Sequence, residues 1–438
     1  MPNSDSKIIY LTAGAGGMFC GSCMHDNALS RALSEHGWNI QLVPTYTPIR
    51  TDENDFSVDQ VLFGGLNVYL QQKLPLLKYV PAFLDRFLDS PWLIRKVTSR
   101  AIETDGKMLG KLAYSMLQGA RGNQAKEVAK LCKWVRLSKA DLVIFSNILI
   151  GGCIEEIKKD ANASVLVTLQ GDDVFLDSLQ EPFKAKCIER IKEIAGYVDG
   201  FIVQSEFYRD YMSKYFSIDP DKIHVTQLGI DVSDFEHLLT RPERQTEERV
   251  IGYMARLAKE KGLHHLVDAF IKLKSKPNTE HIKLKIAGWL SPEFKKYAQS
   301  QWERLEASGL GSEYEYLGPI ERDEKIQLFE SIDLLSVPTE FLEPKGLYAY
   351  EAMAAGVPVV LPAHGAFPEL IEASKGGRLF EPGNTTELAE QWLELLSDDQ
   401  QRSKLAKQGQ QFIHQHRNAA AMASSTSHVI ESFLGSDD

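Results

Sequence analysis

Short, nearly continuous apolar runs alternate with stretches of helical spacing along most of the chain. KIIYLTAG (7–14), NIQLVPTY (39–46), ADLVIFSN (140–147), SVLVTLQG (164–171) and GFIVQS (200–205) form a first set. Runs that are apolar at successive positions suit strands covered on both faces, the condition of a parallel sheet. Between them lie amphipathic segments such as HDNALSRALSEHG (25–37), which ends in a glycine where a left-handed residue would close a helix. A charged stretch with a proline, TRPERQTEER (240–249), interrupts the pattern, which restarts with RVIGYMAR, IKLKIAGW, YEYLGPI, DLLSVP and PVVLP. Two successive β/α arrays predict an α/β protein of two Rossmann-like, doubly wound parallel-sheet domains facing across a cleft, with ligands outside the carboxyl ends of the strands. The expected division is an N-terminal domain over 1–238, a C-terminal domain over 239–417, and a last helix over 418–438 that packs back on the first domain, with the linker near 232–248.

Residues 73–121 depart from the alternation. They hold nine Lys or Arg against four acids, interleaved with apolar residues, in a chain whose net charge is −11. The stretch reads as a basic helical insertion in the first domain. It is either a solvated cap over the sheet or a docking face for an anionic membrane or acceptor. At 438 residues, 43% hydrophobic and 25% charged, the chain has the composition of a soluble multidomain protein. Its negative charge argues against general binding to nucleic acid. The start lacks a basic region followed by an apolar run, and no uncharged apolar segment reaches the roughly 18 residues of a membrane span. Five cysteines, odd in number and scattered apart from Cys20 and Cys23, suit a reducing compartment. The expectation is a cytoplasmic protein, at most peripheral to the inner face of a membrane.

Chemistry concentrates in the second array. Its first strand runs into Arg256, Lys261 and Gly262, where a helix begins. A planar fork of donors, a point charge and the unpaired N–H groups of a helix start make a phosphate-binding arrangement, although surface cations before a helix are also ordinary. Further on, DLLSVP leads to Glu343, then Gly346, Leu347 and a small, apolar helix that carries Glu351. A carboxylate among apolar residues needs partners, and either a pair of sugar hydroxyls or a lysine would serve. Together these pieces outline a nucleotide-sugar site: Arg256 and Lys261 on a diphosphate, Glu351 on a ribose, Glu343 on the sugar side. The DPD of 219–221 reads as a turn, and His264 and His265 read as surface or capping residues.

RLAKEKG followed by EPKGLYAYEAMAAGVPVV resembles the donor domain of GT-B glycosyltransferases of family 4, the retaining group 1 transferases. The resemblance is specific from about 250 to 390 and weaker in the first domain. It implies transfer of a sugar, a hexose or similar, from a nucleoside-diphosphate sugar to an acceptor hydroxyl in glycan or glycolipid synthesis. The acceptor would be a sugar, a lipid-linked compound or a small molecule. No metal and no cofactor beyond the donor substrate are expected. The resemblance also implies pyrophosphate contacts from Arg256 and Lys261, backbone contacts from Gly346 and Leu347, a catalytic Glu343 beside the transferred sugar and a ribose ligand in Glu351.

In this family the loop after the first strand is glycine-rich and lies near the diphosphate and the acceptor. TAGAGGMFCGSC (12–23) occupies that place, which gives Gly16 and Gly17 a cradle role and brings Cys20 and Cys23 to the acceptor side. Met24 stands where a haem attachment box needs its histidine, and a zinc site would need two further ligands, for which His25 and a distant cysteine are the candidates. A thiol-redox pair ahead of a helix stays open. Gln170 stands where many members carry a histidine near the donor sugar, and Lys345 where an aromatic is frequent. Asp172 and Asp173 follow Gln170 and either bind acceptor hydroxyls or cap the next turn. Readings that compete on the same scaffold are a phosphorylase or synthase acting on phosphate or a sugar phosphate, and a non-catalytic sugar-nucleotide binder.

Overall fold

The computed structural model describes residues 6–14, 21–58, 106–240 and 246–434. The chain divides into two compact units, residues 1–227 with 420–438, and residues 228–419.

In the first unit β1 (Lys7–Thr12), β2 (Asn39–Pro44), β3 (Leu142–Phe145), β4 (Ser164–Thr168), β5 (Gly200–Val203) and β6 (Ile223–Val225) form one sheet in the order β2-β1-β3-β4-β5-β6. Every pairing is parallel. The five apolar runs of the first set are its strands, and β3 is buried at all its positions, as the unbroken hydrophobicity requires. β6 is the addition: three residues with His224 in the middle are too short a run to read. Helices α1 (Gly21–Glu35), α2 (Gly106–Leu117), α3 (Ala125–Ser138), α4 (Ile154–Asp160), α5 (Asp172–Ser178), α6 (Phe183–Ala195) and α7 (Glu206–Phe216) accompany it. α1 starts earlier than expected and buries Cys23, His25 and Asp26 near its beginning. Most of the basic stretch, 73–105, lies outside the described residues. Of the remainder, α2 packs on α6, with Gly110 so close to Phe183 that a Cβ would sit 2.7 Å from it.

The second unit repeats the plan. β7 (Arg249–Met254), β8 (Ile282–Ala287), β9 (Tyr314–Gly318), β10 (Leu334–Ser336), β11 (Val359–Pro362) and β12 (Gly377–Phe380) lie in the order β12-β11-β10-β7-β8-β9 and are again parallel. Its helices are α8 (Leu263–Lys274), α9 (Lys295–Ala307), α10 (Arg322–Ser331), α11 (Leu347–Ala354), α12 (Phe367–Ser374), α13 (Thr385–Ser397) and α14 (Asp399–His416). Fully buried Tyr253, Phe270, Phe367 and Trp392 anchor the core. The sequence pattern puts the boundary between units at 238, but 228–238 belong with the second, because Leu228, Ile230, Phe235 and Leu238 enter that core. A final helix, α15 (Ala419–Leu434), packs in the first unit: Trp38 Nε1 donates to Ser427 Oγ at 2.8 Å, and Ser164 Oγ to the Phe433 carbonyl at 3.0 Å.

Each sheet has one place where the strand order reverses, between β1 and β3 in the first and between β7 and β10 in the second. Crevices at the carboxyl ends of such strand pairs are where open α/β sheets bind ligands.

Candidate active site

The β7/β10 switch point gathers the motif residues. After β7 the chain passes Arg256, makes a one-turn 3₁₀ segment over Lys259–Lys261 and turns into α8 at Gly262, whose φ is +71°. A Cβ there would lie 1.7 Å from the Pro338 carbonyl oxygen. Glycine therefore lets the start of α8 rest backbone to backbone on the segment that leaves β10. That segment carries Glu343 and ends at Gly346, φ +70°, where a Cβ would strike the Phe367 ring at 2.6 Å. Leu347 opens α11, so two helix starts, with the positive ends of their dipoles, lie at this switch point.

Lys261 Nζ donates to Glu343 Oε2 at 2.7 Å, and the Tyr348 hydroxyl donates to the same oxygen at 3.2 Å. Lys261 also stands 4.3 Å from the centre of the Phe341 ring, a cation–π distance. Both side chains of the ion pair are nearly buried, 13% and 9% exposed. Burial pushes Glu343 upward. The Lys261 charge and hydrogen bond, then the Gly346 N–H and Tyr348, outweigh it and hold the carboxyl below its ordinary range. Burial first, and then the Glu343 charge, drive the Tyr348 phenol upward. Arg256 is different: its guanidinium is 46% exposed and 3.1 Å from Glu260. An exposed pair of that kind contributes about 0–1 kcal/mol, so an incoming anion takes it over at little cost.

Glu351, buried on α11, is met by the equally buried Lys325 of α10 at 2.5 Å. Of the two partners the sequence leaves open for Glu351, a lysine is the one in place. Lys325 itself gives no signal in the polar run RDEK. Sequence reasoning also misses the turn after β11, where the Ala366 N–H donates to the Glu343 carbonyl at 2.9 Å and His364 Nε2 to the Thr339 carbonyl at 3.0 Å. These bonds fix the backbone on which Glu343 stands. Lys345 is buried beside them.

The β1/β3 switch point holds a buried polar cluster centred on Asp26. It accepts from Tyr10 (2.9 Å), Thr12 (2.7 Å) and Gln170 Nε2 (3.0 Å), and that Gln170 nitrogen also donates to the Ser146 carbonyl at 2.6 Å. Gln170, expected at the donor sugar, has its amide nitrogen committed to this cluster. Asp172 accepts from the backbone N–H groups of Ile148 and Gln170, both at 2.9 Å. Asp173 accepts from Tyr208 at 2.6 Å. Asp172 and Asp173 are 2% and 4% exposed, and these local bonds are the partners their carboxylates have. Desolvation raises Asp172 to about 7 against its two backbone donors, with Asp173 adding to the rise. Cys23, expected on the acceptor side, is 2% exposed in α1 and within electrostatic reach of Tyr10. Gly16, Gly17 and Cys20 lie outside the described residues.

Two Rossmann-like parallel sheets, the second with its polar site at the switch point, give the chain the GT-B fold. Residues 234–412 match the family model described as glycosyl transferases group 1. An uncharacterized glycosyltransferase of Methanocaldococcus jannaschii is 28% identical over 215 residues, which cover 47% of this chain and 53% of that protein. The chain thus spans about half the length of the curated relatives it matches. Sucrose-phosphate synthase from Thermosynechococcus elongatus superposes with a TM-score of 0.70 at 18% identity, over 98% of this chain and 99% of that one. The Anabaena protein HepE, solved in complex with UDP, superposes at 0.67 and 17% identity over 97% and 100%. At these identities the likeness is one of fold. Among the described residues, no helix is long and apolar enough to cross a membrane.

Proposed function

We propose that this chain is a retaining glycosyltransferase of family 4 that moves a sugar, a hexose or similar, from a nucleoside-diphosphate sugar to an acceptor hydroxyl. The observation that carries the reading is the buried Lys261–Glu343 pair between two helix starts at the β7/β10 switch point. In the proposed complex Lys261 and Arg256 take the diphosphate, with the N–H groups at Gly346 and Leu347. Glu351 offers its second carboxylate oxygen to the ribose. Glu343, held ionised, lies against the sugar. The C1–O bond to the leaving phosphate breaks while the acceptor oxygen bonds C1 from the same face, and the acceptor proton passes to the departing phosphate oxygen. Negative charge grows on the diphosphate as this happens, so cations and helix dipoles fixed beside it favour the transition state over the bound substrate.

The solved complex of HepE with UDP makes uridine nucleotides the first to try. Thermal shift of the full chain against UDP-, GDP-, ADP- and dTDP-sugars, with the bare nucleotides alongside, tests the site. Stabilisation by one series and acceptor-dependent release of that diphosphate are the expected results. Stabilisation without release under any acceptor identifies a sugar-nucleotide binder instead. No stabilisation by any series overturns the donor site.

A further inference from the structure

We propose that His264, His265 and Glu340 form a binding site for a divalent transition-metal ion, zinc first among them. His264 and His265 stand at the beginning of α8, and Glu340 lies on the segment between β10 and Glu343. His264 Nε2 and His265 Nε2 come within 3.0 and 3.2 Å of the same oxygen, Glu340 Oε1, and all three ligand atoms fit within 4.8 Å of one another. Zinc bonds of about 2.0–2.1 Å in tetrahedral geometry require ligand–ligand separations of roughly 3.3 Å. The two N···O separations, which are hydrogen bonds in the metal-free protein, lie close to that value, so an ion could replace them with little movement of the side chains.

The chemistry of the set agrees. Two imidazoles and one carboxylate suit zinc, cobalt or nickel, whereas magnesium and calcium prefer oxygen throughout. An imidazole that binds metal needs a partner on its other nitrogen to fix its orientation. His264 has one: Nδ1 lies 2.7 Å from the Tyr297 hydroxyl, which also receives the His264 backbone N–H at 3.1 Å. The three side chains are only partly covered, 23%, 21% and 39% exposed, so an ion can reach them and keep water as a fourth ligand. Lys259, close enough to act on His264, opposes the ion, and Glu340 acts on His264 in the other direction.

The site would do its work by position. Glu340 N–H already donates to the Glu260 carbonyl at 2.9 Å, joining the turn that carries Lys261 to the segment that carries Glu343. An ion bonded to both elements fastens the same two pieces of backbone. It takes no part in the transfer itself, so the expectation of metal-independent chemistry is unaffected.

The test uses the full chain stripped with EDTA. Zinc is titrated against a chromophoric chelator, and cobalt(II) is added separately to read its visible absorption. The expected result is one equivalent bound, the intense visible bands of four-coordinate cobalt and a rise in Tm with zinc. His265→Ala and Glu340→Gln each lose that equivalent while keeping the metal-free Tm within a few degrees. Tyr297→Phe retains the stoichiometry with affinity reduced about tenfold or more. Absence of saturable zinc binding overturns the proposal. So does an equivalent that survives in both His265→Ala and Glu340→Gln, since the ion would then sit on other residues. Neither outcome bears on nucleotide binding, which is read separately.

Discussion

The two switch points are built from the same residue types with opposite pairing. In the first unit Asp26, Asp172 and Asp173 face hydroxyls, an amide and backbone N–H groups. In the second, Glu343 and Glu351 face Lys261 and Lys325. A carboxylate surrounded by neutral donors is satisfied where it stands and serves to hold the strand ends in place. A carboxylate paired with a lysine beside two helix starts leaves a local field that a phosphate can re-use. The common fold supplies both crevices, and the charge of the partners is what sets them apart.

Removing one charge should break the comparison most sharply. Lys261→Ala strands Glu343 in a nearly buried position, with an expected loss of about 3–5 kcal/mol in urea unfolding. Lys261→Ala combined with Glu343→Gln should recover much of that loss and still fail to bind nucleotide. Recovery of binding in the double variant would remove Lys261 from the diphosphate.

The two units should also differ in sign with pH, by up to a few kcal/mol. Asp172, raised to about 7, keeps its proton in the folded state where the unfolded chain has lost it, so the first unit loses stability as pH climbs from about 4 to 7. Glu343 is lowered, so its contribution is complete above the ordinary carboxylate range and is lost as pH falls through its folded value. Hydrogen-exchange protection of β3 and of β10, corrected for intrinsic rates, should shift in opposite directions. Asp172→Asn should flatten only the first.

Asp26→Asn should cost about 1–3 kcal/mol, the penalty of leaving one of its buried hydroxyl partners without a good acceptor. Nucleotide affinity should not change. Arg256→Ala is the mildest for folding, within about 1 kcal/mol because the pair is exposed, but should weaken diphosphate binding about tenfold in calorimetry. Equal affinity before and after that substitution would leave Lys261 and the helix starts as the whole anion site.

Much of this plan is legible in the sequence, for reasons that are local. Ten of the twelve strands lie in the runs read from the sequence, β6 and β12 being the exceptions, and Arg256, Lys261, Gly262, Glu343 and Gly346 sit at strand ends and helix starts whose order places them together. What escapes is non-local. Nothing in RDEKIQLF marks Lys325 for burial against Glu351, and nothing in the helix of 25–37 marks Asp26 as the hub for Tyr10, Thr12 and Gln170. Asp172 and Asp173 stand at a sequence position that suits ligand contact, and only tertiary packing shows their oxygens spent on Ile148, Gln170 and Tyr208.

The placement of α15 has a consequence for how the chain is made. The first unit takes residues from both ends of the sequence, with the whole of the second unit threaded between 227 and 420. During synthesis the second unit has all its residues while Trp38 and the start of β4 still lack the helix that covers them. The first unit must therefore wait, incompletely covered, until the second unit has been made and α15 after it. A domain whose closing piece follows an intervening domain stays open longer than its neighbour, and truncation within α15 should cost the yield of folded chain before it costs the strength of nucleotide binding.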